Sequence, residues 1–516
     1  MNFVLAVIVV YLIAMLAIGF YSSRKIKGLA DYIVAGRRLP LWLAAATLFA
    51  TWFCGETAIG GAAMAYLFGL KGVLMDPIGA SVCLFLSGIF FVRILRRLRY
   101  LTIVDFFERR YDARMGVLAS VVQVLAYIGW TGGLLLAFGR VFEALMGVPT
   151  MYGVIIATVV TIIYTFIGGM WSVTLTDFVQ MLILAVGFLI MLPLAISAAG
   201  GWGAITAAVP GDFFSILPGP NWGYLGYVGL LGMMFYISTW VVQGLGSLCC
   251  QDLIQRSLSS KNEAVAVYAS YTAGILYITV GLVPAILGII GLVLLPGLEE
   301  PELVLPLMAQ KLLPPMGVAL FAAALIAAIM SSADSAILAP SSIIAKHLLP
   351  KVKHDITEKG KLLAAQISTV AIAVVSLLIS LYAETIYYLV NFSWALMLVT
   401  LAVPFIAGIY WRKANAYGAL IAVAVALVVW GVGIWMVLPA TLVVEEGVME
   451  WALWDAIYIA DIPALIAAIV TIIAVSLATQ RINPPKPLTD IDGAEVKVEK
   501  VTEYMGLISP AKCMED

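Results

Sequence analysis

The chain has 516 residues, 63% of them hydrophobic and 11% charged, with a mean hydropathy of +1.06. That composition excludes a soluble globular protein. The net charge of −1 says little by itself, because charge is sorted along the chain rather than present in excess, and no nucleic-acid partner is expected.

A membrane-spanning helix needs about 20 mostly apolar residues. Thirteen such segments can be read: 2–22, 41–68, 72–92, 115–142, 150–167, 174–197, 224–250, 263–295, 317–345, 362–383, 386–410, 415–438 and 461–479. All lysines and arginines except Lys71, Arg140 and Lys311 fall in alternate gaps: Arg24–Arg38, Arg93–Arg114, Arg256–Lys261, Lys346–Lys361, Arg412–Lys413 and the tail from Arg481. Positive loops stay cytoplasmic during insertion. Glu299, Glu300, Glu302, Glu445, Glu446 and Glu450 gather in the other gaps. The expectation is an all-α multi-pass protein of the plasma or inner membrane, with about 13 helices, its N terminus outside and its C terminus inside.

The first segment has no basic start and no small-residue cleavage site, so it reads as a span rather than a cleavable signal. The second carries Ala50-Thr51-Trp52-Phe53-Cys54-Gly55-Glu56-Thr57-Ala58-Ile59-Gly60-Gly61, which puts a glutamate and three glycines at mid-depth. Asp76 follows in the third segment and Trp130 lies within the fourth. Gly168-Gly169 is too short to hold a domain, so it joins segments five and six as antiparallel neighbours. Asp177 then lies about one turn inside the cytoplasmic face, as a helix cap or as part of a cation site.

The seventh segment contains Trp240 and then Gly244-Leu245-Gly246-Ser247-Leu248-Cys249-Cys250-Gln251, with Asp252, Gln255 and Arg256 beyond. Glycine can serve close helix packing. Two interruptions five segments apart instead fit a five-helix unit repeated in inverted topology, each repeat beginning with a broken helix. Segments two to six and seven to eleven would form the core. The division is 1–40, 41–200, 201–411, 412–480 for two peripheral helices, and a tail, 481–516, expected to be mostly disordered.

Ionisable residues inside a span are costly and point to function or to a structural partner, which singles out Glu56, Asp76, Asp177 and Asp334. Asp105 and Asp252 sit near cytoplasmic ends, where they read as helix-end charges. In segment nine, Ala328, Ser331, Ser332 and Ser335 share one helical face, with Asp334 flanking it. Hydroxyls, a carboxylate and carbonyls freed by an unwound helix are hard donors for a small cation. The alternative is that the serines back-bond to their own helix. Trp52, Trp130 and Trp240 lie within spans, where they either pack or face an organic cation through cation–π attraction. The cysteines read as packing residues, and His347 and His354 as solvated loop residues. No nucleophile–base or metal constellation suggests an enzyme.

Four stretches together resemble the sodium:solute symporter family: Ala30–Pro40, Tyr164–Gln180, Gln251–Ser260 and Ser331–Ser335, within a similarity running from about Tyr11 to Arg412. The details are nearest its choline-transporter branch, notably Arg99–Asp105, although Cys250 stands where an aromatic is expected. The resemblance implies the inverted-repeat, LeuT-type fold and sodium as coupling ion, with no other cofactor. It implies a sodium site of the Ala50, Phe53 and Ala328 carbonyls with the Ser331 and Ser332 hydroxyls. It also implies a second cation or proton site at Asp177, Ser331, Asp334 and Ser335. Solute contacts would come from Thr57, Asp76 and Ser247 to Gln251, with Glu56 close by. The expected activity is sodium-coupled import of a small cationic or zwitterionic solute by a protein working as a monomer. A proton-coupled or facilitative carrier, or a membrane solute sensor, is the alternative.

Overall fold

The computed structural model describes residues 3–352, 356–382, 386–446 and 448–498; side chains at 386–389, 391 and 450 are outside that description, as are His354 and Cys513. Among the described residues the regular structure is helical, with isolated β-bridges only. Eleven helices there are long and apolar enough to cross a membrane. Two of these runs, Glu56–Leu98 and Thr150–Ala198, each cover two of the segments read from the sequence. Thr150–Ala198 is a single 49-residue run with Gly169 at φ 46° and ψ −141° inside it. At 1.5 Å per residue a straight helix of that length would reach about 74 Å, against a hydrocarbon core of about 30 Å. Gly169 is where the run turns. A Cβ there would lie 2.5 Å from a Tyr32 ring carbon, so both the backbone angle and the space call for glycine.

Two breaks fall where the sequence interrupts itself. Leu41–Trp52 ends at Phe53 (φ −72°, ψ 80°), and the chain resumes through a π-turn, Glu56–Gly60, into Gly61–Phe68. Gly229–Val241 runs through Val242–Gly246 and Ser247–Cys249 to an extended Cys250 (φ −69°, ψ 134°), before Gln251–Ser259. A third break was missed: Asp76 is extended (φ −138°, ψ 125°) inside Leu74–Gly79, followed by Pro77. Proline supplies no N–H and disfavours helix at the preceding residue, so Asp76-Pro77 was a readable signal.

The Pro315–Ile343 helix is the axis, almost wholly buried from Val318 onward. Thr150–Ala198, Ala113–Met146, Phe3–Ser23 and Glu358–Ser380 surround it. Ala416–Val444 and Met449–Ala478 pack on each other at the margin and expose apolar side chains such as Val428 and Val470. Small residues let the first break pack closely: a Cβ on Gly288 would lie 2.1 Å from the Ala62 carbonyl.

The basic and acidic gaps form opposite faces. On the basic face, Thr102 and Asp105 make a capping box at the start of Ile103–Arg110. Asp105 also pairs with Lys346. His347, expected in a solvated loop, is instead 4% exposed, with Nε2 2.7 Å from Thr102 Oγ1 and Nδ1 3.0 Å from Glu108 Oε2. Carboxylates on the facing helix give its ring partners that a sequence-local reading could not supply. Burial raises the Asp105 carboxyl, but Lys346, His347 and the Thr102 N–H more than offset it and hold it below the usual carboxylate range.

The tail between Arg481 and Val498 is not a free polar end. Thr489 bridges Glu495, Leu488 is buried, and Ile491, Val496 and Val498 pack against the core. Composition made this stretch look disordered, but four apolar anchors spaced around Asp490 suffice to seat it.

Candidate functional site

The first break frees carbonyls that would otherwise bond up the helix, and the serines of the axial helix meet them. Ser331 Oγ donates to the Ala50 carbonyl at 2.7 Å and lies 3.0 Å from the Ala328 carbonyl. Ser332 Oγ donates to the Thr51 carbonyl at 2.6 Å, with the Ala328 and Ala50 carbonyls at 3.4 and 3.5 Å. Two hydroxyls and three carbonyls thus converge in a buried spot with no charged side chain bonded to them. Phe53 turns its ring to Phe49, Phe188 and Tyr277. Thr51 was not among the expected ligands; its carbonyl lies one residue nearer the break than Ala50.

One turn further along the axial helix, Asp177, Asp334 and Ser335 come together. Tyr164 donates to Asp334 Oδ2 at 3.0 Å, and Ser335 donates to Asp334 Oδ1 at 2.9 Å and to the Ser331 carbonyl at 2.9 Å. Thr47 donates to Asp177 Oδ2, while Asp177 Oδ1 is buried without a partner. Arg256 enters the same space: it is 1% exposed, donates to Ser335 Oγ and lies 3.9 Å from Asp177. Counting basic residues by loop had assigned Arg256 to a gap. Its position one turn past the second break carries it inward instead. Two carboxylates and one guanidinium leave a negative balance that a cation or a proton can meet.

A third cluster lies on the other side of the break. Thr57 Oγ1 donates to Asp76, lies 2.9 Å from the Tyr277 hydroxyl and 3.2 Å from the Trp52 carbonyl. Trp52 Nε1 donates to Asp252 Oδ2 at 2.7 Å, and Tyr127 donates to Asp252 Oδ1. Asp252 does stand in the first turn of Gln251–Ser259, as a helix-end charge would, but it is fully buried and bonded to two aromatic residues. Trp130 stacks at a tilt between Tyr127 (5.7 Å) and Trp394 (5.0 Å). Among the described residues, Glu56 Oε1, Asp76 Oδ1 and Trp130 Nε1 are buried with no hydrogen-bond partner. Buried polar atoms are normally satisfied, so this concentration beside aromatic rings makes the cluster the candidate solute site. A cavity of about 250 Å³, lined by Gly60, Ala63, Leu67, Arg140, Glu300 and Glu302, leads from the acidic face to the helix that carries Glu56.

The remaining expected solute residues lie elsewhere. Trp240 is half-buried and packs edge-on to Tyr236. Ser247 Oγ bonds Gln243 Oε1 at 3.2 Å. Gln251 closes the basic side: its Oε1 accepts from the Ile103 N–H at 2.7 Å, its N–H donates to Gln123, and Gln123 donates to the Cys249 carbonyl at 2.8 Å. Tyr127, Tyr277 and Trp394 went unread, and Asp252 was read only as a helix-end charge, because an aromatic or an acid near a helix end carries no further signal until its neighbours are known.

The chain belongs to the sodium:solute symporter family, whose profile matches residues 32–426. It is 28% identical to the high affinity choline transporter 1 of Homo sapiens over 437 residues, 80% of this chain and 74% of that protein. It is also 28% identical to the sodium/pantothenate symporter of Haemophilus influenzae over 420 residues, 79% and 85% of the two chains. Among solved structures, a Na+-coupled sialic acid symporter in a substrate-bound outward-open state matches with a TM-score of 0.74 and 23% identity, over 91% of this chain and 98% of that one. A nucleobase-cation-symport-1 family transporter matches at 0.56 with 16% identity, over 93% and 99%. The fold is that of LeuT-type membrane transporters, not of enzymes.

Proposed function

We propose that this member of the sodium:solute symporter family couples sodium entry to import of a small cationic or zwitterionic solute, such as a quaternary amine, a betaine, proline or another amino acid. The observation that carries the reading is the meeting of the Ser331 and Ser332 hydroxyls with the freed Ala50 and Thr51 carbonyls across the break. Those are hard oxygen donors of the kind a sodium ion takes, supplied by two elements that must be held together for the solute site to be complete. Sodium joining them favours the state open to the acidic face; its loss lets the broken helix part from the axial one. Ala50, Ala328, Ser331 and Ser332, with Phe53 from the family pattern, hold the ion. Glu56, Asp76, Thr57, Trp52 and Trp130 hold the solute, joined by Tyr127 and Trp394, while Trp240, Ser247 and Gln251 shape the second break.

The topology belongs to the same reading. Division of the two long runs at Gly169 and at the Gly69–Val73 turn supports thirteen spans, with the basic face cytoplasmic, the N terminus outside and the C terminus inside. The breaks in 41–200 and 201–411 support two inverted repeats, with 1–40, 412–480 and the tail outside them. The working unit is a single chain in the cell membrane. A second reading, in which Asp177 and Asp334 carry a proton, is favoured by their shared arginine, which cannot neutralise both. Uptake by a Ser331→Ala, Ser332→Ala double variant separates the two. The sodium reading expects loss of sodium stimulation at normal expression, whereas sodium dependence that survives would remove the site assignment.

A further inference from the structure

We propose that the carboxyl-terminal segment 488–496 is a latch that braces the basic-face gate of the transporter closed. The inference rests on the alternating-access reading above and adds a control element to it. The segment turns on itself: Asp490 Oδ1 accepts from the Asp492 and Ala494 N–H groups at 2.9 Å each, and Val496 N–H donates to the Leu488 carbonyl at 2.8 Å. The folded turn then seats on one corner of the core, Leu98–Arg109. Arg99 pairs with Asp490 at 2.9 Å and with Asp492. Ile491 N–H donates to the Leu98 carbonyl at 3.0 Å, Arg109 donates to the Asp490 carbonyl at 3.0 Å, and the Tyr100 hydroxyl donates to the Thr489 carbonyl. Arg99 takes a left-handed conformation (φ 55°) at this corner, which directs its side chain to the tail.

The corner is not a passive surface. Three to six residues on, the same stretch makes the contacts that hold the two moving parts together on that side. Ile103 N–H bonds Gln251, immediately after the second break; Thr102 meets His347 and Asp105 meets Lys346, at the end of the axial helix. A path to the basic face cannot open without parting Ile103–Arg110 from one or both. A tail that fixes the preceding residues, Leu98–Tyr100, therefore favours the closed gate, and its release lowers the barrier to opening. Among the described residues the Asp490 and Asp492 carboxylates pair with Arg99, and Asp490 also with N–H groups of its own turn. The clamp is thus ionic at its rim, weakened by salt, and backbone-bonded at its centre.

The test is hydrogen–deuterium exchange on the purified full-length protein without sodium or solute, comparing wild type with an Asp490→Asn, Asp492→Asn variant. Failure of the latch therefore leaves the symport reading standing. Amides in 488–496 report release of the tail; those in 98–110 and 251–259 report the gate. Two partly exposed ion pairs are worth roughly a threefold to tenfold change in an opening equilibrium. The expected result is faster exchange by about that factor in all three stretches, reproduced in wild type at high salt. Release of the tail with unchanged exchange in 98–110 and 251–259 would overturn the latch. So would a tail that exchanges equally fast in both proteins. An Arg99→Gln variant, which leaves the tail intact, must reproduce the effect from the other partner.

Discussion

Replacing Ser331 by alanine removes one hydroxyl from the meeting point of the broken and axial helices, and its effect on sodium can be worked from the contacts present. Without the ion, Ser331 Oγ bonds the Ala50 carbonyl at 2.7 Å, a neutral hydrogen bond of about 1 kcal/mol net. With the ion, the same oxygen faces a cation, an interaction in the range of about 1.5–3 kcal/mol for charged partners. Alanine forfeits the first in the free state and the second in the bound state. The difference, about 0.5–2 kcal/mol, is roughly a twofold to thirtyfold rise in the sodium concentration for half-maximal effect. Sodium titration of uptake in proteoliposomes measures it directly. Ser341 on the same helix is the control, since its hydroxyl only bonds back to the Ile337 carbonyl at 2.6 Å. Ser341→Ala should leave the sodium dependence in place. Equal shifts in both variants, or no shift in Ser331→Ala at normal expression, would refute the reasoning.

Glu56→Gln keeps the shape of the solute site and removes a carboxylate whose Oε1 has no hydrogen-bond partner among the described residues. Transport KM for a cationic solute should rise about tenfold or more, with half-saturating sodium little changed. Arg256→Gln leaves Asp177 and Asp334 buried without their cation, a loss of about 3–5 kcal/mol that thermal unfolding will register, and Asp177→Asn added to it should restore part of the stability. Gly169→Ala forces a side chain into a left-handed turn against Tyr32 and should cost about 1–3 kcal/mol or more, read as a lower Tm. Because Asp105 is held below the usual carboxylate range, its contribution to the basic-face network is present at neutral pH. That contribution is lost as pH falls below the ordinary aspartate range through the lowered value. Asp105→Asn should weaken the network at neutral pH and flatten its acid sensitivity, both measurable by exchange in 98–110.

What the sequence disclosed followed the bilayer's own constraints. Segment length and the cost of a mid-span carboxylate are local properties, so the all-helical membrane fold, the buried carboxylates Glu56 and Asp177 and the shared Ser331–Ser335 face could be read from the chain alone. Partners across the fold could not. Arg256 looked like a loop charge until the second break turned it inward, and Asp252 is a helix-end acid whose burial against Trp52 and Tyr127 no local pattern foretold. Trp240 matched Trp52 and Trp130 in type and depth, but its direction around the helix axis sends it to Tyr236. Asp76-Pro77 carried a breaker signal, and the surrounding apolar run hid it.

The most direct test of sodium-coupled solute binding is thermal stabilisation of the purified protein across a panel of amines, betaines, amino acids and sugars, each with sodium and with an inert replacement cation. A ligand at 100 times its Kd stabilises the native state by about 2.7 kcal/mol, well within reach of a Tm measurement. The account predicts that at least one cationic or zwitterionic solute raises Tm only when sodium is present. Stabilisation by the same solute regardless of sodium, varying instead with pH, would contradict it.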